Sequence, residues 1–562
     1  MAKYNTKTEK VVKRTTTHQG GSGFTQDPKH ELIGILATGM GNNFYESEGE
    51  REKRFKELVD KISKKDKTFV AKAMVYARSV FGQRSVTHFG AVELMPHLSG
   101  DSLGKRFFTK RNRKRNEGGV IYRLDDMAEI LAAYFAKNGN DASIPNSLKK
   151  GFREAIENAD AYELAKYQMK GRSVSLVDIV NLVHPRESDR NGTIDITKDE
   201  YLKATAGTKF EVPEGQEIND VIRVPALRAL VLGILKQFDT VEDKNTETGK
   251  VVAEKVKSGE ITKAQAAVEL NEKKTENYGE LIKTKKIGYL ALIRNLRNIL
   301  KTNDTALLDE ACKLLVEPQF IRKSLVFPHQ IDLAMEIMLI EFSGAQMAKV
   351  TKALGEAYEL SIPNLAELFP YGKTAIVYDT SGSMSGGWGG GCKISYNGKS
   401  KGINSSPVEK AALVAATFAK GVAGDVYHFG TSCKQVTGWN PNDSVNTLKR
   451  HFVAQSGRCG HGTQYSTIFP ELARVGGQYD RVFIMTDEQS ADSVEHAYKS
   501  YCAKYGTPHV YFINLVGYGP TVMKQNTKVH RIFGYSADIY ELAKKTEIDP
   551  EAIIKEINAI EI

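Results

Sequence analysis

The chain of 562 residues has no apolar stretch approaching the ~18 residues that a membrane-spanning helix needs. Residues 1–23 are polar and basic with no apolar segment, so a secretory signal is not expected either. Cysteine is scarce: there are five, an odd number, widely spread and without a C-x-x-C pair. That argues against a disulfide framework and a zinc ribbon and suits a reducing cytoplasm. Catalytic signatures are missing too. There is no G-x-x-x-x-G-K-[ST] loop and no H-E-x-x-H, and Ser381 sits in T-S-G-S rather than G-x-S-x-G. A P-loop phosphotransferase, a zincin and a serine hydrolase are therefore not expected, and the chain reads as noncatalytic.

What is present is globular: 41% apolar and 26% charged residues, enough to bury a large core. The net charge is +10, with +3 carried by residues 371–562 and +7 by the rest. Per residue the two parts are alike, so a polyanion site must be sought in local clusters. Residues 1–28 read as a disordered basic tail. From 29 to about 357 the apolar residues recur at helical spacing, as in Phe69, Val70, Ala73, Met74, Ala77 and Phe81. This predicts a stacked helical module without convincing strands. Within it, 239–284 reads as a solvated Lys/Glu-rich excursion with one short helix. After a Pro-punctuated stretch at 361–372 the pattern changes to short apolar runs alternating with helix-length segments, which predicts a doubly wound α/β domain. The expected domains are 1–28, 29–365 and 366–562.

The sharpest motif is Asp379-Thr-Ser381-Gly-Ser383, directly after the first predicted strand of the α/β part. Ligands of open α/β sheets bind outside the carboxyl ends of strands. One carboxylate and two hydroxyls on a tight loop present hard oxygens, the donors Mg²⁺ prefers. Thr463, in a Gly-His-Gly-Thr loop, and Asp487, which ends the run RVFIMTD, are two further oxygen donors. This ordered set resembles the von Willebrand factor A domain, whose metal-ion-dependent adhesion site binds a divalent cation. The resemblance implies Asp379, Ser381, Ser383, Thr463 and Asp487 as metal ligands, with Mg²⁺ the expected ion. A glycine-rich insert at 386–406 departs from the pattern; it either shields the site or is simply flexible, and flexibility is the expectation. Cys392, Cys433, Cys459 and His461 match no zinc spacing.

Two basic constellations lie in the helical part. Residues 105–115 (KRFFTKRNRKR) hold seven basic residues and no acid, with Phe107 and Phe108 inside. Lys110, Arg111 and Arg113 are candidates for phosphate contacts, with a Phe either stacking a base or packing inward. The alternative is a solvated helix end. The second is Lys166, Lys170 and Arg172, then a short helix, then His184-Pro-Arg. A histidine beside Lys and Arg can bond a phosphate or a base edge, or can simply cap the helix.

Several segments resemble the TROVE module of Ro proteins, a family of RNA-binding proteins: Phe24-Thr-Gln-Asp-Pro with Leu32–Leu36 and Tyr45, Ala73–Arg78, the 166–185 segment, and Gly288–Asn298. A helical module before a C-terminal A domain is also the Ro order. The resemblance implies a ring of HEAT-like repeats followed by the A domain. It implies small structured Y-like RNAs on the outer surface and single-stranded 3′ ends of misfolded RNAs in a central hole, in noncoding-RNA quality control. An exonuclease or other protein partner is implied as well, and no membrane. It assigns Lys166, Lys170 and His184 to RNA, with Arg172 as a substitute for Lys170, since one residue is inserted between Lys166 and His184. The rival readings of the whole chain are a protein-binding scaffold that grips a partner's carboxylate through the metal, and a metal-dependent nuclease or phosphatase that uses Asp379 and Asp487.

Overall fold

The computed structural model describes residues 12–41, 43–112, 115–159, 163, 167, 169, 173–183, 186–189, 192–195, 247–285, 287–324, 326, 331–332, 334–335, 338–339, 342–361, 365–385, 392–396, 399–403, 406–534 and 539–562. Its strands are β1 (Arg14–Thr16), β2 (Ser22–Phe24), β3 (Arg186–Asp189), β4 (Gly192–Asp195), β5 (Thr374–Asp379), β6 (Cys392–Tyr396), β7 (Lys399–Ile403), β8 (Asp425–Phe429), β9 (Cys433–Gln435), β10 (Arg481–Thr486), β11 (His509–Asn514) and β12 (Val529–Phe533). The chain forms two compact units. One comprises 1–58, 288–297 and 311–556, and the other 59–287, 298–310 and 557–562. None of the described helices is long and apolar enough to cross a membrane.

The first unit is built on a six-stranded sheet in the order β12-β11-β10-β5-β8-β9, parallel except for β9. β5 reads TAIVYD and is buried at every position. A parallel strand covered on both faces needs such a continuous apolar run. One face carries Val377, Phe429, Ile484 and Phe512 into a core with Phe469 and Leu472 of the helix Ile468–Val475. On the other face Phe483 stacks at 4.1 Å on Phe418 of the helix Pro407–Val422. That helix starts at a Ser406/Glu409 capping box with Pro407 in its first turn, as its sequence predicts. Ala411, Ala412, Ala415, Ala416 and Ala419 are fully buried, so its backbone sits close to the sheet.

In the second unit, helices such as Ser85–Leu94, Asp125–Asn138 and Asn146–Glu157 surround buried aromatic and aliphatic side chains. Asp126, fully buried, accepts from Arg78 Nε and Nη2 at 3.1 Å and from the backbone N–H groups of Tyr122 and Arg123, and His88 Nε2 stands 3.0 Å away. Arg78, part of one of the Ro-like segments, is thus a structural anchor: every oxygen of the buried carboxylate is satisfied.

Three expectations change. Residues 14–24 form a β-hairpin, not a disordered tail, because β1 and β2 pair and β2 also bonds Thr521 through Phe24. The 239–284 excursion holds two helices, Glu247–Lys257 and the 21-residue Lys263–Lys283, the latter started by a Thr262/Gln265 capping box. The helical module contains a strand pair, β3–β4, and the insert after residue 386 contains another, β6–β7. Both compact units are discontinuous in sequence. Residues 28–58 belong with the α/β body, where Arg51 donates to Val516 O at 2.6 Å and Arg54 to Gly517 O at 3.1 Å.

Candidate metal centre

β5 lies between β10 and β8, so the connections leaving β5 and β10 run in opposite directions and open a crevice at their carboxyl ends. Asp379 is the last residue of β5, and Asp487 directly follows β10. The loop after Asp379 folds into a single 3₁₀ turn, Gly382–Ser385, which returns the Ser383 hydroxyl beside that of Ser381, 3.3 Å away. Gly382 N donates to His461 O at 2.9 Å and Ala491 N to Thr463 O at 3.0 Å, which ties the three loops together. All five predicted ligands converge here. Asp379, Ser381 and Thr463 are fully buried, and Asp487 and Ser383 nearly so.

The carboxylates are held differently. Asp379 Oδ1 accepts from Ser381 N at 2.9 Å and Oδ2 from Thr486 Oγ1 at 2.7 Å. Asp487 Oδ1 accepts from Gln489 N at 2.9 Å, while Oδ2 is buried with no hydrogen-bond partner among the described residues. Burial raises the pKa of both, and for Asp487 the neighbouring Asp379 carboxylate raises it further. Two buried carboxylates with an orphaned oxygen, lined by hydroxyls, form a donor set lacking positive charge. A small hard cation would satisfy that set. Among the described residues no group of three or more His, Cys, Asp or Glu side chains forms a metal site. The donors here are mostly hydroxyls. Cys433 and Cys459 are buried thiols whose pKa burial raises, and Cys459 Sγ lies 3.5 Å from His428 Nε2.

Several residues at this site carry no sequence motif. Glu488 follows Asp487 with φ +57°, a left-handed conformation that disfavours a non-glycine residue by roughly 1–2 kcal/mol. It is held there by a buried, bidentate pair with Arg531 of β12, both contacts 2.7 Å, and by Asn514 Nδ2 at 3.0 Å. The Arg531 fork therefore fixes the loop that presents Asp487. Gln19 and Tyr45 also reach the site: Gln19 Nε2 donates to Thr463 Oγ1 at 2.9 Å and to Tyr45 Oη at 2.7 Å. The Gly20-Gly21 pair beside Gln19 was the available turn signal, masked by its polar surroundings.

The RNA candidates fare differently. Lys166, Lys170, Arg172, His184 and Arg113 lie outside the described residues. Lys110 is ion-paired with Glu163. Arg111 leaves the list of phosphate contacts: it is 4% exposed, and its guanidinium donates to Asn116 O, Gly118 O and Glu561 O at 2.6–2.9 Å. Phe107 and Phe108 are fully buried and edge-to-face, so the aromatic pair packs inward. The run thus serves partly as an internal clasp, because Arg111 supplies donors to the peptide carbonyls of Asn116, Gly118 and Glu561. Lys105 instead lines a cavity of about 680 Å³ with Lys137, Lys150, Ser102 and Asn146.

No family model and no curated protein matches the chain. Its structure, however, is similar to the Ro (RSR) protein of Deinococcus radiodurans, at 15% sequence identity and a TM-score of 0.53. The match covers 93% of this chain and 100% of that one. The chain has the Ro-protein fold. A helical module and a doubly wound α/β domain, the expected fold class, are therefore both present in the Ro arrangement of the chain.

Proposed function

We propose that the chain is a noncatalytic RNA-binding protein of the Ro type. The Ro fold over almost the full length is the observation that carries this reading. The lysine-lined cavity of the helical unit supports it, since Lys105, Lys137 and Lys150 outnumber its one acid, Asp101, and with neutral Ser and Asn donors suit phosphate and sugar oxygens. In this reading Lys166, Lys170 or Arg172, and His184 hold a small structured, Y-like noncoding RNA on the outer surface, and single-stranded 3′ ends of misfolded RNA enter a central hole. The protein acts in the cytoplasm in noncoding-RNA quality control, with an exonuclease as a fitting partner. A labelled RNA with a short duplex and a 3′ tail, titrated at low salt and followed by anisotropy, tests it. Binding that prefers the tailed duplex over a blunt one is expected. No binding at low salt contradicts the reading.

The site at β5 and β10 is, in the same reading, a divalent-cation site. Asp379, Ser381, Ser383, Thr463 and Asp487 would hold Mg²⁺, which would neutralise the buried carboxylates. Mg²⁺ at a hundred times its dissociation constant is expected to stabilise the chain by about 2.7 kcal/mol. Thermal unfolding with Mg²⁺ or chelator should show that gain in the wild type and none in Asp487→Ala. Equal gains in both would contradict the ligand assignment.

The scaffold reading shares the cation site, whose metal would take a partner's carboxylate as a further ligand. It predicts salt-resistant capture of an acidic protein partner that Asp379→Ala abolishes.

A further inference from the structure

We infer that the β1–β2 hairpin is the resident occupant of the cation site, with Gln19 supplying the ligand oxygen that a partner's carboxylate would otherwise supply. This rests on the cation reading above and goes beyond it.

The turn Thr17-His18-Gln19-Gly20 is fastened to the loop after Asp487 along its length. His18 N donates to Gln489 Oε1 at 2.9 Å, Gly21 N to Ser490 O at 3.0 Å, and the Thr17 hydroxyl to the same carbonyl. Gly21 allows this approach: a Cβ there would stand 2.4 Å from Ser490 O and 2.7 Å from Asp492 N. Gly20 takes φ +86°, so two adjacent glycines shape the turn. On the outer side His18 stacks parallel to Tyr45 at 5.6 Å, and Tyr518 packs against both rings. These contacts aim the Gln19 amide at Thr463 and Tyr45, and they close a site whose five predicted ligands are all buried.

The spacing suits shared coordination. Neighbouring ligands of an octahedral Mg²⁺ with bonds of 2.0–2.1 Å stand about 3 Å apart. The Gln19 amide nitrogen lies 2.9 Å from Thr463 Oγ1, and the Ser381 and Ser383 hydroxyls are 3.3 Å apart. In the present geometry Nε2 donates to the threonine hydroxyl. A half-turn of the amide exchanges its oxygen and nitrogen, which turns the same side chain from a donor into a metal ligand. The cation then fastens the N-terminal hairpin to the α/β body. An acidic partner gains the metal only when the hairpin leaves.

The test uses the full chain with Mn²⁺ binding read by electron paramagnetic resonance and backbone hydrogen exchange over residues 14–24. In the wild type, metal is expected to slow exchange of the hairpin amides at least tenfold. Gln19→Ala should weaken Mn²⁺ binding about tenfold and erase that slowing. Gln19→Glu, which places a carboxylate in the same position, should tighten binding about tenfold. Equal Mn²⁺ affinity in all three proteins, with metal-independent exchange, would overturn the inference while leaving the cation site standing. Absence of Mn²⁺ binding in the wild type would overturn both it and the cation reading.

Discussion

Replacing Glu488 by Gln is expected to cost 3–5 kcal/mol of stability, the range seen when one partner of a buried ion pair is removed. Arg531 is 4% exposed and Glu488 fully buried, and their two 2.7 Å bonds form a fork-to-fork pair inside the sheet edge. The variant leaves the guanidinium with no compensating charge in a low-dielectric site. It also releases Glu488 from the left-handed backbone that the pair sustains. The loop presenting Asp487 then relaxes, so cation affinity should fall along with stability. Urea unfolding followed by circular dichroism reads the first effect and Mn²⁺ titration the second. Glu488→Leu combined with Arg531→Met should recover much of the stability, because an apolar replacement of a whole buried pair is often neutral or better. It should not recover cation affinity. A single variant as stable as the wild type would show that the pair does not hold the loop.

RNA affinity should fall by a factor of about 10³–10⁵ between 50 and 200 mM salt, as for a protein that neutralises roughly 6–10 phosphates. The net charge of +10 is spread evenly along the chain, so this steepness must come from a local cluster and not from the overall field. Lys105, Lys137 and Lys150 around their cavity are one such cluster. Their ion pairs with Glu154 and Glu93 are partly exposed, and phosphate can compete for these ammonium groups. Lys105→Ala with Lys150→Ala should reduce the slope of log affinity against log salt by about two, uniformly across RNA sequences. Arg111→Ala should leave the slope unchanged and lower stability instead, since its hydrogen bonds go to backbone carbonyls. A salt-insensitive affinity would shift the account toward the protein-scaffold reading.

The meeting of these oxygen donors was legible because their chemistry is local. Asp379, Ser381 and Ser383 stand on one turn, and Asp487 ends a strand whose apolar run marks it. The sheet then brings distant donors together by a rule that depends only on strand order. Glu488, Arg531 and Gln19 were not legible, since their roles arise from pairing across 43 residues in one case and 444 in the other. The hairpin at 14–24 looked like a tail because only three residues pair on each side and its order comes from contacts with residues 490–521. The basic run at 105–115 misled for a related reason. Charge composition reports solvation and not the hydrogen-bond needs of nearby peptide carbonyls, and the buried Arg111 side chain serves the latter. Of the helical module, the periodicity of Phe69–Phe81 marks only the part of Glu48–Ser79 that follows the kink at Asp66.

In the Ro reading, RNA affinity belongs to the helical unit and is separable from the proposed cation site. The most direct measurement is an anisotropy titration of the tailed duplex against three proteins, in Mg²⁺ and in chelator: the wild type, Lys166→Ala with His184→Ala, and Asp379→Ala. The account predicts at least tenfold weaker binding in the double variant. It predicts wild-type affinity for Asp379→Ala and indifference to chelator. Binding that survives in the double variant and disappears in Asp379→Ala would contradict it.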